Sequence, residues 1–333
     1  MIRRSLAFIV VVGTLWTTTA VGAPVELKFG MFISPNGFQI KQVFEPWIQW
    51  LHGQVGDEIK VKIYPGGILG RDPVQQMNLL RSGIQDITLA IPSYTPARFT
   101  DLSLLQLPGL VRTSTEGSAA VWRLFQMGRI RGFEDVKVVG LFTLDAFGIH
   151  TATPIGSYQD VRGMKLRSGG RIHNDIAKVL GAAPVGMAIT RIAENISRNQ
   201  IDGAIIPWTA LIPFRINEVT KYHYSADLGV LPVVVAMNKK KYDQLSPTTR
   251  DALDRSGSML SKMNGKTYDD TRTEYMQRHK KDPKHTVIEP TTVEQAEMQA
   301  LFRPLHDQWQ ARYGRERYRT LVKILAQLRK DIP

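Results

Sequence analysis

Cysteine is absent from all 333 residues. That excludes a disulfide framework, a thiolate metal site and a cysteine nucleophile. Histidine is scarce: the seven residues are scattered, and no two sit at metal-ligand spacing on a helix. GxSxG, HExxH and GxxxxGK[ST] are also missing, and Gly169-Gly170 is not a dinucleotide fingerprint. The sequence therefore offers no catalytic machinery, no metal site and no cofactor site. After the first two dozen residues, no apolar run is long enough to span a bilayer. Acidic residues are under-represented, with 30 Asp and Glu against 43 Lys and Arg, a net charge of +13. The basic residues are spread out; the densest run is Lys239-Lys240-Lys241, and no aromatic residues interleave it. A solvated basic surface, without nucleic-acid binding, is the expectation.

What is present begins with a leader. Arg3-Arg4, the apolar stretch Leu6 to Trp16 and the small residues Ala20-Val21-Gly22-Ala23 make residues 1–23 a secretory signal peptide, cut near Gly22 or Ala23. The mature chain is expected to be exported and periplasmic, and its length suffices for two lobes.

Alternating stretches at 26–31 and 59–64 and an apolar run at 87–91 read as strands, with helices between them. This β-α-β-α-β order predicts a mostly parallel sheet. The pattern then repeats. Met164 to Leu166 is a strand that ends on Arg167, a helix over 171–180 follows, and Ala204 to Pro207 is a further strand. Leu144 to His150 is expected to cross between lobes, and Val230 to Asn238 to return to the first. Pro247 opens a long amphipathic helix to about Met276, with further helices from Thr292 and over 316–328. Lobe I is thus assigned to 24–148 plus roughly 230–245, lobe II to 149–229, and bridging and C-terminal helices to 246–333.

Ligands of open α/β sheets sit outside the carboxyl ends of strands. Arg167 stands at such an end, where its planar fork suits a carboxylate, although spacing alone is also compatible with a solvated loop-edge arginine. Asp202, before Gly203 at a helix-to-strand turn, reads as a backbone-capping residue rather than a general base.

Gly163-Met-Lys-Leu-Arg167, Leu180-Gly-Ala-Ala-Pro-Val-Gly-Met187 and Gln200-Ile-Asp-Gly-Ala204, in that order, closely resemble the solute-binding proteins of tripartite ATP-independent periplasmic (TRAP) transporters. Val61 to Pro65, Leu80 to Ile87, Leu107-Pro-Gly109 and Met237-Asn-Lys239 fit the same pattern. The resemblance implies a two-lobe α/β binding protein whose long helix spans both lobes. It also implies that Arg167 binds an organic-acid carboxylate, and that small and large integral-membrane permease subunits receive the ligand. Sialic-acid-binding members carry a second Arg near Ile149-His150 and an Asn after the Asp-Gly turn; this chain has neither. His150-Thr-Ala-Thr-Pro154, with Pro207-Trp208 after that turn, is similar to another sub-group. His150 is expected as a polar ligand contact and Trp208 as an aromatic wall. Pro207, Phe147, Tyr94, Phe32 and Met187 are further candidates, together suggesting a ligand with an apolar or aromatic body. A ligand-sensing protein for a receptor or another transporter, or an exported enzyme on the same scaffold, are the competing readings.

Overall fold

The computed structural model describes residues 23–331; the signal peptide expected over 1–23 lies almost wholly outside them. The strands are β1 (Val25–Gly30), β2 (Ile59–Tyr64), β3 (Ile87–Ala90), β4 (Val136–Thr143), β5 (Phe147–Thr151), β6 (Lys165–Ser168), β7 (Ala183–Gly186), β8 (Gly203–Pro207), β9 (Tyr222–Tyr224), β10 (Pro232–Asn238) and β11 (Thr286–Ile288). The α-helices are α1 (Glu45–Val55), α2 (Gln76–Arg81), α3 (Ser114–Gln126), α4 (Arg171–Val179), α5 (Ile192–Ser197), α6 (Lys239–Asp243), α7 (Pro247–Lys281), α8 (Thr292–Tyr313) and α9 (Arg315–Asp331).

They build two sheets, ordered β2-β1-β3-β10-β4 and β11-β9-β5-β8-β6-β7. In each sheet a single strand runs against the rest: β10 in the first, β5 in the second. Each odd strand arrives from the other lobe. The remaining strands are joined by helical or looped crossovers, which make them parallel.

Two chain segments cross between the sheets side by side. Leu144 N–H donates to Leu231 O at 2.9 Å, and Phe147 N–H to Gly229 O at 3.0 Å. Gly229 is required here: its φ is +84°, and a Cβ would fall 2.2 Å from Gln106 O. The crossing segment continues directly into a strand, because Phe147 to Thr151 pair with β8 and Ile149 to Thr151 also with β9.

α7 is the third link, 35 residues long, with Pro247 in its first turn and Ser246 Oγ accepting from Thr249 N–H at 3.1 Å. It packs on α3, α1 and β4 of the first lobe, then reaches the Trp208 turn and β11 of the second. Gly257 and Gly265 allow the close approach. A Cβ on the first would lie 2.1 Å from the Trp122 ring, and on the second 2.8 Å from the Thr115 backbone. The helix extends beyond the expected Met276, with Met276 and His279 buried against the second lobe near its end. The short strands β9 and β11 are additions to the sequence reading. With three residues each, they offer no period to detect.

Candidate functional site

Between the sheets lies a cavity with about 620 Å³ of empty space, its mouth included. Five of the expected residues stand on its wall: Phe32, Tyr94, Phe147, Arg167 and Pro207. Most of the rest is apolar, from Ile33, Leu89 and Ile91 of the first lobe to Ile189 and Ala210 of the second.

Arg167 is the last residue but one of β6, and the strand's start is pinned by Asp202, whose carboxylate accepts from Lys165 N–H at 2.7 Å. This is the capping role expected for Asp202. The Arg167 side chain is 2% exposed. Its Nε donates to Met187 O at 2.9 Å, and one terminal nitrogen approaches Tyr94 Oη at 3.4 Å. Among the described residues no carboxylate pairs with it. Burial pushes its pKa down while Tyr94 pushes it up, yet a guanidinium stays charged in a protein. An isolated buried cation is costly, and an anion in the cavity removes that cost. Gly169 keeps the fork free, since a Cβ there would sit 3.0–3.2 Å from the guanidinium.

Tyr94 also ties the lobes together. Its hydroxyl accepts from Ile189 N–H at 3.3 Å, beside a Ser93 Oγ to Gly169 O bond of 3.0 Å. The conformation is therefore closed. Phe32 of the first lobe faces Phe214 of the second, with ring centroids 6.4 Å apart. Phe147 stacks on His173 at 4.3 Å and 4°. Burial, with the charge of Arg167 nearby, pushes the His173 pKa to about 3, so that ring is neutral.

Three expected contacts are corrected by the geometry. His150 is fully buried behind the wall, with its Nε2 on Ile206 O at 3.2 Å and its Nδ1 on His223 Nδ1 at 2.9 Å. Every residue of its strand is buried, and burial lowers the His150 pKa to about 3. Trp208 is 0% exposed and sits at the centre of a separate core cluster, edge-on to His150 at 5.0 Å. Its neighbours Pro207, Thr209 and Ala210 are the ones that line the cavity. Met187 contributes its carbonyl to Arg167, while its side chain packs on the Trp208 cluster.

Sequence reasoning missed Gln39, Thr209, Phe214 and Tyr268, all on the wall. Gln39 Nε2 donates to Tyr268 Oη at 3.0 Å across 229 positions of sequence, leaving Gln39 Oε1 unpartnered. Nothing local marks that pair. Phe214 had a signal in the apolar stretch after Trp208, but not one that separates a wall from a core.

Asp145, on the first crossing segment, is wholly buried and accepts from the Thr209 hydroxyl and, at 3.4 Å, from Thr209 N–H. Burial pushes its pKa up to about 7, opposed by the Thr209 hydrogen bonds and by Arg272. The folded state thus holds the proton more tightly than the unfolded chain, whose value is near 3.8. Its stabilising contribution is full below that lower value and is lost as pH rises through about 7. Asp145→Asn removes this slope. Urea unfolding is expected to show the variant gaining on the wild type from about pH 5 to about pH 8. An unchanged difference would assign the carboxyl no such role.

A two-lobed α/β scaffold closing on an apolar cavity with one buried, unpaired cation defines a small-molecule binding protein. The model of the DctP family, "Bacterial extracellular solute-binding protein, family 7", matches residues 29–312, and the chain belongs to that family. The C4-dicarboxylate-binding periplasmic protein DctP of Rhodobacter capsulatus is 23% identical over 306 residues, 89% of this chain and 90% of its own. A marine-metagenome TRAP solute-binding protein specific for aromatic acid ligands, solved with 3-hydroxybenzoate, is 29% identical with a TM-score of 0.87, covering 92% of this chain and 99% of its own. A TRAP solute-binding protein of Rhodoferax ferrireducens T118, solved with copurified benzoate, is 26% identical with a TM-score of 0.85, covering 93% and 100%. The chain is a TRAP solute-binding protein and not an enzyme. Among the described residues no helix is long and apolar enough to cross a membrane.

Proposed function

We propose that the protein captures a small monocarboxylate with an aromatic or similarly apolar body and delivers it to TRAP permease subunits. The observation that carries this is Arg167, buried without a counter-ion and the one charged side chain on the wall among the described residues. Its fork takes one carboxylate by two bonds. A dicarboxylate would bury a second charge with no cation to meet it. A sugar acid would bring several hydroxyls to a wall whose other polar side chains are Gln39, Tyr94, Thr209 and Tyr268. Phe32, Phe147 and Phe214 suit a flat ring. The aromatic acids in the two similar structures support the same class.

Ligand contacts in both lobes favour the closed state, and release to the permease requires reopening about the crossing segments. The protein works in the periplasm after leader cleavage near Gly22 or Ala23, and an ion gradient across the small and large permease subunits drives uptake.

The test is titration calorimetry of residues 24–333 with benzoate, 3-hydroxybenzoate, succinate and galacturonate. The benzoates are expected to bind at least about a hundredfold more tightly than the other two, a gap of roughly 2.7 kcal/mol. Tightest binding of succinate or galacturonate would overturn the ligand class.

A further inference from the structure

Four of the seven histidines, His150, His223 and the nearby pair His279 and His285, meet on the second lobe. We propose that His223, His279 and His285 form a binding site for one transition-metal dication of the zinc and copper class, where the end of α7 meets β9. Candidate ligand nitrogens of these three residues all lie within 4.8 Å of one another.

The surrounding hydrogen bonds decide which nitrogens are free. His279 Nδ1 faces its own helix, 2.6 Å from Tyr275 O, and a carbonyl only accepts, so Nδ1 carries the proton. Its Nε2 keeps the lone pair, buried and without a partner. His150 Nε2 lies 3.2 Å from Ile206 O and is protonated by the same reasoning. The His150 Nδ1 lone pair then accepts from His223 Nδ1–H at 2.9 Å, and the lone pair of His223 is left on Nε2. That atom lies 2.9 Å from His285 Nδ1. Two nitrogen lone pairs, the unpartnered His279 Nε2 and the His223 Nε2 that accepts from His285, are thus aimed into the cluster by the fold, each ring held by an outer hydrogen bond.

This is the supporting arrangement of metal-binding histidines, whose other ring nitrogen donates to a carbonyl, a carboxylate or another acceptor. His285 completes the set. A cation between His223 Nε2 and His285 Nδ1 replaces the proton those atoms share. That proton moves to His285 Nε2, which faces the Asp282 carboxylate at 3.9 Å, and no proton is released. Tetrahedral bonds of about 2.0–2.1 Å place ligand nitrogens about 3.3 Å apart, so the 2.9 Å pair opens only slightly. A water fills the fourth position.

Neutral imidazoles are required, and burial already holds the pKa values of His223, His279 and His285 down. Arg278, Lys221 and Lys284 add positive charge and oppose any cation, with Asp282 as the counter-charge. An ion held by charge alone, such as magnesium or calcium, is therefore disfavoured, whereas zinc and copper bond strongly to imidazole. The ligands join α7 to β9 and to the residue just before β11, so the ion pins the long helix to the second lobe. The Trp208 ring lies 5.4 Å from His223 and 5.9 Å from His279, which makes it a reporter.

The experiment uses the untagged mature chain, stripped with chelator and titrated with zinc, with copper(II) quenching of tryptophan fluorescence alongside. One equivalent of zinc and a raised Tm are expected. His279→Gln and His285→Gln should each weaken zinc about a hundredfold or more, and Asp282→Asn about tenfold. Trp208→Phe should abolish most of the quenching. His285 lies at the edge of the site, so its variant tests the proposal even if His279→Gln fails to fold, circular dichroism reporting which. Zinc uptake unchanged in His285→Gln, no uptake by the wild type, or preferential uptake of magnesium or calcium would each overturn the site.

Discussion

Arg167→Ala is expected to abolish carboxylate binding while the unliganded protein stays folded, with a Tm equal to or above that of the wild type. The two halves of this result share one cause. Without ligand, Arg167 is a cation at 2% exposure with one backbone carbonyl and one tyrosine hydroxyl for company. Removing it relieves a desolvation cost and opens space in a cavity that already exists. With ligand, the same change leaves a carboxylate buried and unpaired. That costs on the order of 3–5 kcal/mol, or two to three decades or more in affinity. Arg167→Lys should also fail to restore tight binding, because an ammonium lacks both the fork and the Nε donor that Met187 O orients. Thermal shift with and without benzoate reads both halves at once. Near-normal binding by Arg167→Ala would remove the anchor from Arg167. A collapse of the unliganded fold would make the residue structural.

Trp208→Ala should act on stability first. The indole is 0% exposed and packs in the cluster with Ile192, Ile206, Leu211 and Met276. Truncating such a side chain leaves a cavity and costs about 3–5 kcal/mol. Its effect on ligand affinity should be indirect and even-handed, lowering aromatic and aliphatic acids alike as the turn carrying Thr209 and Ala210 loosens. A variant of normal Tm that discriminates specifically against aromatic acids would return the ring to the ligand. The aromatic wall that the sequence leads one to expect of Trp208 would give that selective outcome. The tertiary structure replaces it, since the side chain leaves the strand end on the side away from the cavity.

Much of the site was legible because strand ends are local features. The strand carrying Arg167 is bounded by Gly163 and Gly169, and its carboxyl end is where a sheet exposes a ligand crevice. Tyr94 and Pro207 follow the same logic at the ends of β3 and β8, and Phe32 lies two residues past the end of β1. Phe147, at a lobe crossing, was reached by the connectivity. His150 and Trp208 defeated it because both lie close in sequence to wall residues, Phe147 for the one and Pro207 and Thr209 for the other, yet point away from the cavity.

Composition and pattern alone determined the two rounds of β-α alternation, the return of β10, the long helix and the arginine near the end of β6. Each is a property of a short window: an apolar run, a period, a proline at a helix start. Only the tertiary structure decided which side chains share a space. Gln39 meets Tyr268, and Phe32 meets Phe214, because the first lobe closes on the second. His223, His279 and His285 converge because α7 ends against β9 after traversing both lobes, and no spacing within any one element encodes that meeting.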